Sequence, residues 1–481
     1  MAVSTLDMIL IFGYFALVLG IGVFSMKNIK DFDDYSVAGR SIPMAILFAT
    51  VAATLCGGGS TIGRIAFVHK QGIIVLMGIS GMALGQVLSG LYIAPKVREA
   101  GENVYTVGDL FARTFGRSGR LASSIVAFSF VIALFGVQIL AMGRILQTVT
   151  GIPLIPAAVI SSIITIAYTW AGGMLAVILT DAIQFVVLAL GITLCAFLSL
   201  NQVGGINEAV QTVIAMGPEF ADKVDFFRSD WSMTKIVAFF LTFMFGEMAA
   251  PYFIQRYATG ASPKDSKWGV TVFGGYYMFF LVTTLVIGVC SLVLQPDIRP
   301  DLALTTLIRE TLPPGISGLV FGALLAAVMS TGDSFINTAA VIFTRDIYNE
   351  FINPKATQQE LLSWTKKITI VIGVGGVGIA LAFPKIFELM IYVYNLWAPA
   401  VIPTLLVALF WKKGGISPYA GAPAVVIGLA TAFIWGPKVL GDPLGLPSNI
   451  VGMAANIITM FVVHQMMKNT EPSRNFQPES I

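Results

Sequence analysis

Apolar residues run in stretches of about twenty along most of the chain, separated by short polar turns. A bilayer core takes about 20 such residues per helix. The pattern predicts an all-α polytopic membrane protein of about thirteen spans, near 6–25, 42–68, 73–94, 121–146, 153–171, 181–201, 235–256, 270–295, 315–344, 367–383, 388–411, 415–435 and 448–467. The longest loops, near 202–234 and 296–314, are too short and mixed to fold separately, so residues 1–481 read as a single transmembrane domain. The first run, LDMILIFGYFALVLGIGVFSM, lacks a basic leader and a small-residue cleavage site and is expected to be a retained span. The polar tail KNTEPSRNFQPESI is expected to be disordered.

Composition agrees with this reading. Hydrophobic residues make up 56% and charged residues 11%, against about a quarter charged in a soluble domain. A net charge of +3 forms no basic patch of the kind nucleic acid needs, so the lipid bilayer is the expected partner. Cys56, Cys195 and Cys290 lie in apolar segments and are expected to be free thiols. His69 and His464 stand near span ends, and neither a nucleophile–base set nor a metal spacing is visible, which argues against an enzyme.

Lys and Arg in the loops set the orientation. With the N-terminus outside, the inward loops carry 19 of them, among them Lys27, Arg40, Arg98, Arg120, Arg256, Arg345, Lys412, Lys413 and Arg474, and the outward loops carry 8. Arg64 and Arg144 fall within spans. The split predicts N-terminus out, C-terminus in, an odd number of spans, and a place in the cytoplasmic (plasma) membrane.

Two spans are interrupted. ATLCGGGSTIGR places Gly57, Gly58 and Gly59 inside the second span, and each helix-interior glycine costs about 1 kcal/mol relative to alanine. An unwound turn leaves carbonyl oxygens that can replace the hydration shell of a small cation. Gly59 and Gly63 equally form a GxxxG pair suited to close helix packing. The seventh span carries Gly246, Glu247 and Pro251 in mid-run, and proline removes a helical hydrogen bond. With the first span set aside, these interrupted helices each open a run of five, which points to two oppositely oriented halves and a midplane site between them.

The ninth span, SGLVFGALLAAVMSTGDSFINTAAVIF, holds Ser330, Thr331, Asp333, Ser334, Asn337 and Thr338 within nine positions. Ala327, Ser330, Thr331, Ser334 and Asn337 share one side of the helix. Oxygen ligands suit a hard cation, and an ionisable residue inside a span is a functional candidate. Interhelical hydrogen bonding is the other reading of such a stripe.

AAVMSTGDSFINTAAVIFTRDIYNEFINP resembles the signature region of the sodium:solute symporter family. YSVAGRSIPM, AGGMLAVILTDAIQF and PYFIQRYATGASPKDSKWG resemble its other landmarks, and the resemblance runs from about Phe32 to Lys413. It implies a LeuT-type fold with five-helix inverted repeats at about 42–201 and 235–411, peripheral helices at about 6–25, 415–435 and 448–467, and sodium-driven uptake of a small organic solute, an amino acid or carboxylate. It also implies a main sodium (Na+) site of the carbonyls of Ala53, Cys56 and Ala327 with the hydroxyls of Ser330 and Thr331. Members similar to sialic acid symporters add a second site, here matching Asp181, Ser330, Asp333 and Ser334, with Asp333 in place of a hydroxyl. Asp181 with Gln184 reads first, however, as an N-cap pair opening the sixth span.

The solute site follows the family less closely. Leu55 stands where proline symporters have an aspartate, and Gly59 where they have a tryptophan. Candidate solute contacts are Gly57, Gly58, Gly59, Ser60, Thr61, Arg64, Gln138, Gly246, Glu247 and Tyr252. The three glycines would leave room for a solute, and Gln138 equally reads as an interhelical hydrogen bond. Arg64 lies within snorkelling reach of the outer interface, its favoured reading, and otherwise offers a guanidinium fork to a carboxylate. Arg144 is read as snorkelling too. The alternatives to sodium symport are a proton-coupled symporter using Asp333 or Glu247, and a non-transporting solute sensor, against which the short tail after Lys468 argues.

Overall fold

The computed structural model describes residues 4–25, 29–228, 230–383, 385–411 and 415–473; Lys27, Lys412, Lys413 and Arg474 lie outside the described residues. Among those described, the secondary structure is helical apart from one isolated bridge between Ile42 and Gly260. The main helices are α1 (Thr5–Ser25), α2 (Met44–Leu55), α3 (Gly59–Gln71), α4 (Val75–Glu99), α5 (Val107–Thr150), α6 (Leu154–Gln202) and α7 (Met233–Met248). They continue with α8 (Pro251–Thr259), α9 (Pro263–Leu294), α10 (Ile316–Ile352), α11 (Gln358–Ala382), α12 (Ile386–Phe410), α13 (Pro418–Trp435) and α14 (Ser448–Met467).

Among the described residues, nine helices are long and apolar enough to cross a membrane, or eleven if each of two bent pairs is one span. The bent pairs are α2 with α3, at 58°, and α7 with α8, at 44°. Large apolar side chains stay exposed around the rim, such as Ile163, Leu190, Val371, Val374 and Ile458, as lipid contact requires.

Two of the expected spans meet at a sharp kink with no loop between them. Segments 153–171 and 181–201 are the two arms of α6, parted by a kink at Gly173; the second, Val177–Gln202, is long and apolar enough to cross a membrane by itself, and the first is a shorter apolar helix, Leu154–Ala167. Gly173 has φ +55°, and a Cβ there would come 2.8 Å from the Tyr35 ring, so the bend needs a glycine. Helix α5 likewise joins two arms, at Gly116 with φ +60°. It starts at Thr106, whose hydroxyl accepts from the Asp109 amide at 3.1 Å while Asp109 accepts from the Thr106 amide at 3.2 Å, a reciprocal cap.

Helix α10 is the axis of the molecule. It packs against α1, α2, α5, α6 and α11, and nearly all of its apolar window is buried. The Asp7 carboxylate of α1 accepts from the Gly315 and Gly318 amides at 2.7 and 2.8 Å, satisfying otherwise orphaned donors at the start of α10.

The molecule has two polar ends. One gathers Lys70 with Glu388, Arg144 with Asp301, and the Ile73 amide on the Lys223 carbonyl. The other gathers Arg40 on the carbonyls of Val104 and Ala258, and Arg120 and Arg345 on buried Asp109. They are called here the Lys70 end and the Arg40 end. Cys56, Cys195 and Cys290 are buried free thiols.

Candidate functional site

The first break is a three-residue gap, Cys56, Gly57 and Gly58, between α2 and α3. Helix α2 closes with the Cys56 amide on the Ala52 carbonyl at 2.9 Å, and α3 opens in a wide turn with the Gly63 amide on the Gly58 carbonyl at 3.0 Å. The Thr331 hydroxyl of α10 stands 3.4 Å from the Ala53 carbonyl, 3.2 Å from that of Thr54 and 2.9 Å from that of Ala327. The Thr61 hydroxyl stands 2.6 Å from the Cys56 carbonyl and 2.8 Å from that of Gly57. Each hydroxyl has one proton to give. Two hydroxyl protons thus face five carbonyl oxygens, of which that of Gly57 also accepts from the Thr61 amide at 2.9 Å; the lone pairs left over suit a hard cation. The donor set is all oxygen, so the residues present fit a sodium ion.

The glycines serve closure rather than space. A Cβ on Gly57 would lie 2.1 Å from the Thr331 hydroxyl oxygen, one on Gly58 2.3 Å from the Ala141 Cβ, and one on Gly59 2.9 Å from the Met390 sulfur. The room expected beside Gly57, Gly58 and Gly59 is therefore filled by α10, α5 and α12. Gln138 of α5 accepts from the Gly58 amide at 2.9 Å, which pairs the donor freed by the break.

Ser330 adjoins Thr331 and donates to Asp181. Asp181 also accepts from Thr50 of α2 and, at 3.2 Å, from Arg256 of α8. It lies inside the second arm of α6, fully buried and held by three other helices, so the N-cap reading is corrected: that arm begins at the Gly173 kink, ahead of Asp181, and no helix starts at Asp181. The structure also moves Arg256 from a loop into the core. Its guanidinium is wholly buried and donates to Ser334 at 2.5 Å, Thr50 at 3.2 Å and the Tyr252 carbonyl at 3.4 Å. Its neighbour Gln255 donates to Asn337 at 3.1 Å and accepts from Thr338 at 2.6 Å. The polar stripe of α10 is thus answered by a Gln–Arg pair that sequence reasoning missed. The signal was there, in two polar side chains inside the apolar turn PYFIQRYA.

The second break, between α7 and α8, is closed differently. The Glu247 carbonyl accepts from the Gln86 amide nitrogen at 3.1 Å, and the Met248 carbonyl accepts from the hydroxyls of Ser89 and, at 3.4 Å, Tyr257. The buried Glu247 carboxylate accepts from Tyr252 at 2.6 Å and from Tyr394. A Cβ on Gly246 would meet the Tyr394 ring at 2.8 Å.

Arg64 does not snorkel. It is 2% exposed, donates to Tyr277 and, at 3.2 Å, to Thr284, and lies 5.1 Å from the Tyr277 ring centre. Helix α9 covers it, so its charge stays in the core. Tyr277 also donates to Ser60 at 3.3 Å. Arg144 is also buried, against Asp301 at 2.7 Å. The solute candidates therefore form three groups: Gly58 with Gln138, Ser60 with Arg64, and Glu247 with Tyr252. Thr61 instead serves the break.

At the Lys70 end, beyond Gly63, lies a cavity of about 420 Å³. Its floor includes Phe67 and Phe387, whose rings stack at 4.5 Å. Its rim carries Lys70, Arg144, Arg299 and Lys385 against Asp301 and Glu388, and each carboxylate is shared by two of these cations.

Residues 35–417 match the family model described as "Sodium:solute symporter family". The osmoregulated proline transporter OpuE of Bacillus subtilis is 24% identical over 412 residues, covering 83% of each chain. The sodium/glucose cotransporter of Vibrio parahaemolyticus is 24% identical over 451 residues, covering 85% of this chain and 81% of its own. A solved Na+-coupled sialic acid symporter superposes with a TM-score of 0.82 at 21% identity, over 98% of this chain and 99% of that one. This likeness shows the fold to be of the LeuT type. A match across most of the chain, over a fold with two broken helices, settles the class: this multi-pass membrane transporter belongs to the sodium:solute symporter family.

Proposed function

We propose that the chain is a sodium-coupled symporter that imports a small organic solute, an amino acid or carboxylate, by alternating access. The observation that carries this reading is the first break, where two hydroxyl protons face five carbonyl oxygens. Ala53, Cys56 and Ala327 offer carbonyls to sodium, and Ser330 and Thr331 offer hydroxyls. Sodium binds first and holds the broken helix in shape, and the solute follows. Inward opening then parts α10 from α2, and sodium leaves to the cytoplasm. The membrane potential adds about 2.3 kcal/mol per charge per 100 mV to the drive.

The Lys70 end faces outside in this reading, because the Arg40 end carries more of the Lys and Arg. Two shorter apolar helices, Thr5–Tyr14 and Leu154–Ala167, join the nine long helices and two bent pairs, which supports thirteen spans arranged as two inverted five-helix repeats with peripheral helices. A carboxylate on the solute is supported by the basic rim of the outer cavity. It is also supported by Arg64, whose buried Nε has no partner among the described residues. Glu247 offers a counter-charge for an ammonium group. Asp181, Asp333 and Ser334 form the candidate second cation place.

The test is uptake into proteoliposomes with and without an inward sodium gradient. Uptake should follow sodium and be lost in Ser330→Ala with Thr331→Ala. Unchanged uptake in that variant sinks the sodium assignment. Uptake driven by a pH gradient in sodium-free buffer would favour a proton-coupled symporter instead, and binding without transport would favour a sensor.

A further inference from the structure

The place between α2, α6, α8 and α10, one turn from Thr331 towards the Arg40 end, is rich in oxygen. Asp181, Ser334 and Thr50 all bond to one group there, the Arg256 guanidinium, at 3.2, 2.5 and 3.2 Å. Arg256 and Asp181 are both wholly excluded from solvent. A planar guanidinium presents five N–H donors in a fixed fork, and here they reach all three oxygen-bearing side chains and the Tyr252 carbonyl. An ion pair this deep persists only with its remaining hydrogen bonds satisfied, and Thr50 of α2, Ser330 and Ser334 of α10 and the Tyr252 carbonyl of α8 supply them. Among the described residues, no cluster of three His, Cys, Asp or Glu side chains suited to a metal is present.

We propose that Arg256 is the resident cation of this place. The guanidinium occupies the oxygens that a second sodium would need, so one sodium accompanies each solute. This rests on the symport reading above and fixes its coupling ratio. The same network meets the main site, because Ser330 donates to Asp181 while Asp181 holds Arg256. Arg256 is therefore a positioning residue for the one sodium as well as a substitute for another. Asp333 is the remaining carboxylate. Its Oδ1 lies 3.3 Å from the Ser334 hydroxyl, and its Oδ2 has no partner among the described residues.

The experiment is equilibrium binding of radioactive sodium to the full chain in nanodiscs, without solute. One sodium per chain is expected, lost in Thr331→Val. Arg256→Ser, which replaces the guanidinium with a hydroxyl, should bind two, with the Hill coefficient rising from about one to above 1.5 as the two sites couple through Asp181. Two sodium ions in the unaltered chain, falling to one in Asp333→Asn, would overturn the proposal without touching the symport reading. One sodium in a folded Arg256→Ser would also overturn it, since the guanidinium would not be what keeps sodium out. No sodium at all in the unaltered chain would refute the symport reading and this proposal together. If Arg256→Ser does not fold, the count in the unaltered chain still decides.

Discussion

The two broken helices solve one problem with different chemistry. Each interruption frees backbone carbonyls inside the membrane, where unpaired polar groups are costly. At the first break the carbonyls meet the hydroxyls of Thr331 and Thr61. At the second, the Glu247 carbonyl meets the amide nitrogen of Gln86 and the Met248 carbonyl meets Ser89 and Tyr257. An amide N–H only donates, whereas a hydroxyl can donate or turn its oxygen towards a cation. The first break is poised to exchange partners and the Glu247 carbonyl of the second is capped. What sets the first break apart is that every side-chain donor to its carbonyls is a hydroxyl, which can itself become a ligand, whereas the second mixes hydroxyls with an amide.

That contrast can be broken by substitution. The largest effect is expected for Gly57→Val, whose Cβ would enter the space of the Thr331 hydroxyl. Forcing it in costs about 3 kcal/mol, so half-saturation by sodium in uptake assays should rise about a hundredfold. Next comes Thr331→Val, which keeps the shape and removes the oxygen. Losing a hydrogen-bonding group to a charge costs about 2 kcal/mol, or about thirtyfold in sodium half-saturation, and Thr331→Ser should restore most of it. The smallest effect on sodium is expected for Gln86→Leu. It leaves the Glu247 carbonyl less satisfied, which should lower stability by about 1–3 kcal/mol in thermal unfolding, with sodium half-saturation within about twofold of the parent. A Gln86→Leu protein that loses sodium dependence as Thr331→Val does would erase the distinction.

Both breaks were legible in the sequence, because a glycine triplet and a mid-span proline act through the local backbone. So was the polar stripe of α10, which follows from helical spacing alone. What stayed hidden depends on which helices converge. Arg256 sits in a short helix after a break, so loop counting assigned it to the solvent; its burial follows from Asp181, Thr50 and Ser334 arriving from three other helices. Asp181 followed by Gln184 imitates a cap, and only the start of the second arm of α6 at the Gly173 kink, ahead of Asp181, removes that reading. Arg64 is within reach of an interface along its own helix, but Tyr277 and Thr284 of α9 hold it inward. The glycine triplet told of a break but not of the Thr331, Ala141 and Met390 side chains that fill the space beside it.

The bridge between Ile42 and Gly260 carries a mechanical consequence. The Ile42 amide bonds the Thr259 carbonyl at 3.1 Å, and the Ala261 amide bonds the Ile42 carbonyl at 2.8 Å. These two bonds splice the foot of α2 to the foot of α8, so the lower arms of both broken helices stand on one hinge plate. A tilt of α2 at the Arg40 end drags α8 along, and with it Arg256. Two helices nearly two hundred residues apart in sequence then swing as a single lever, and the slack for that swing resides in the breaks above it.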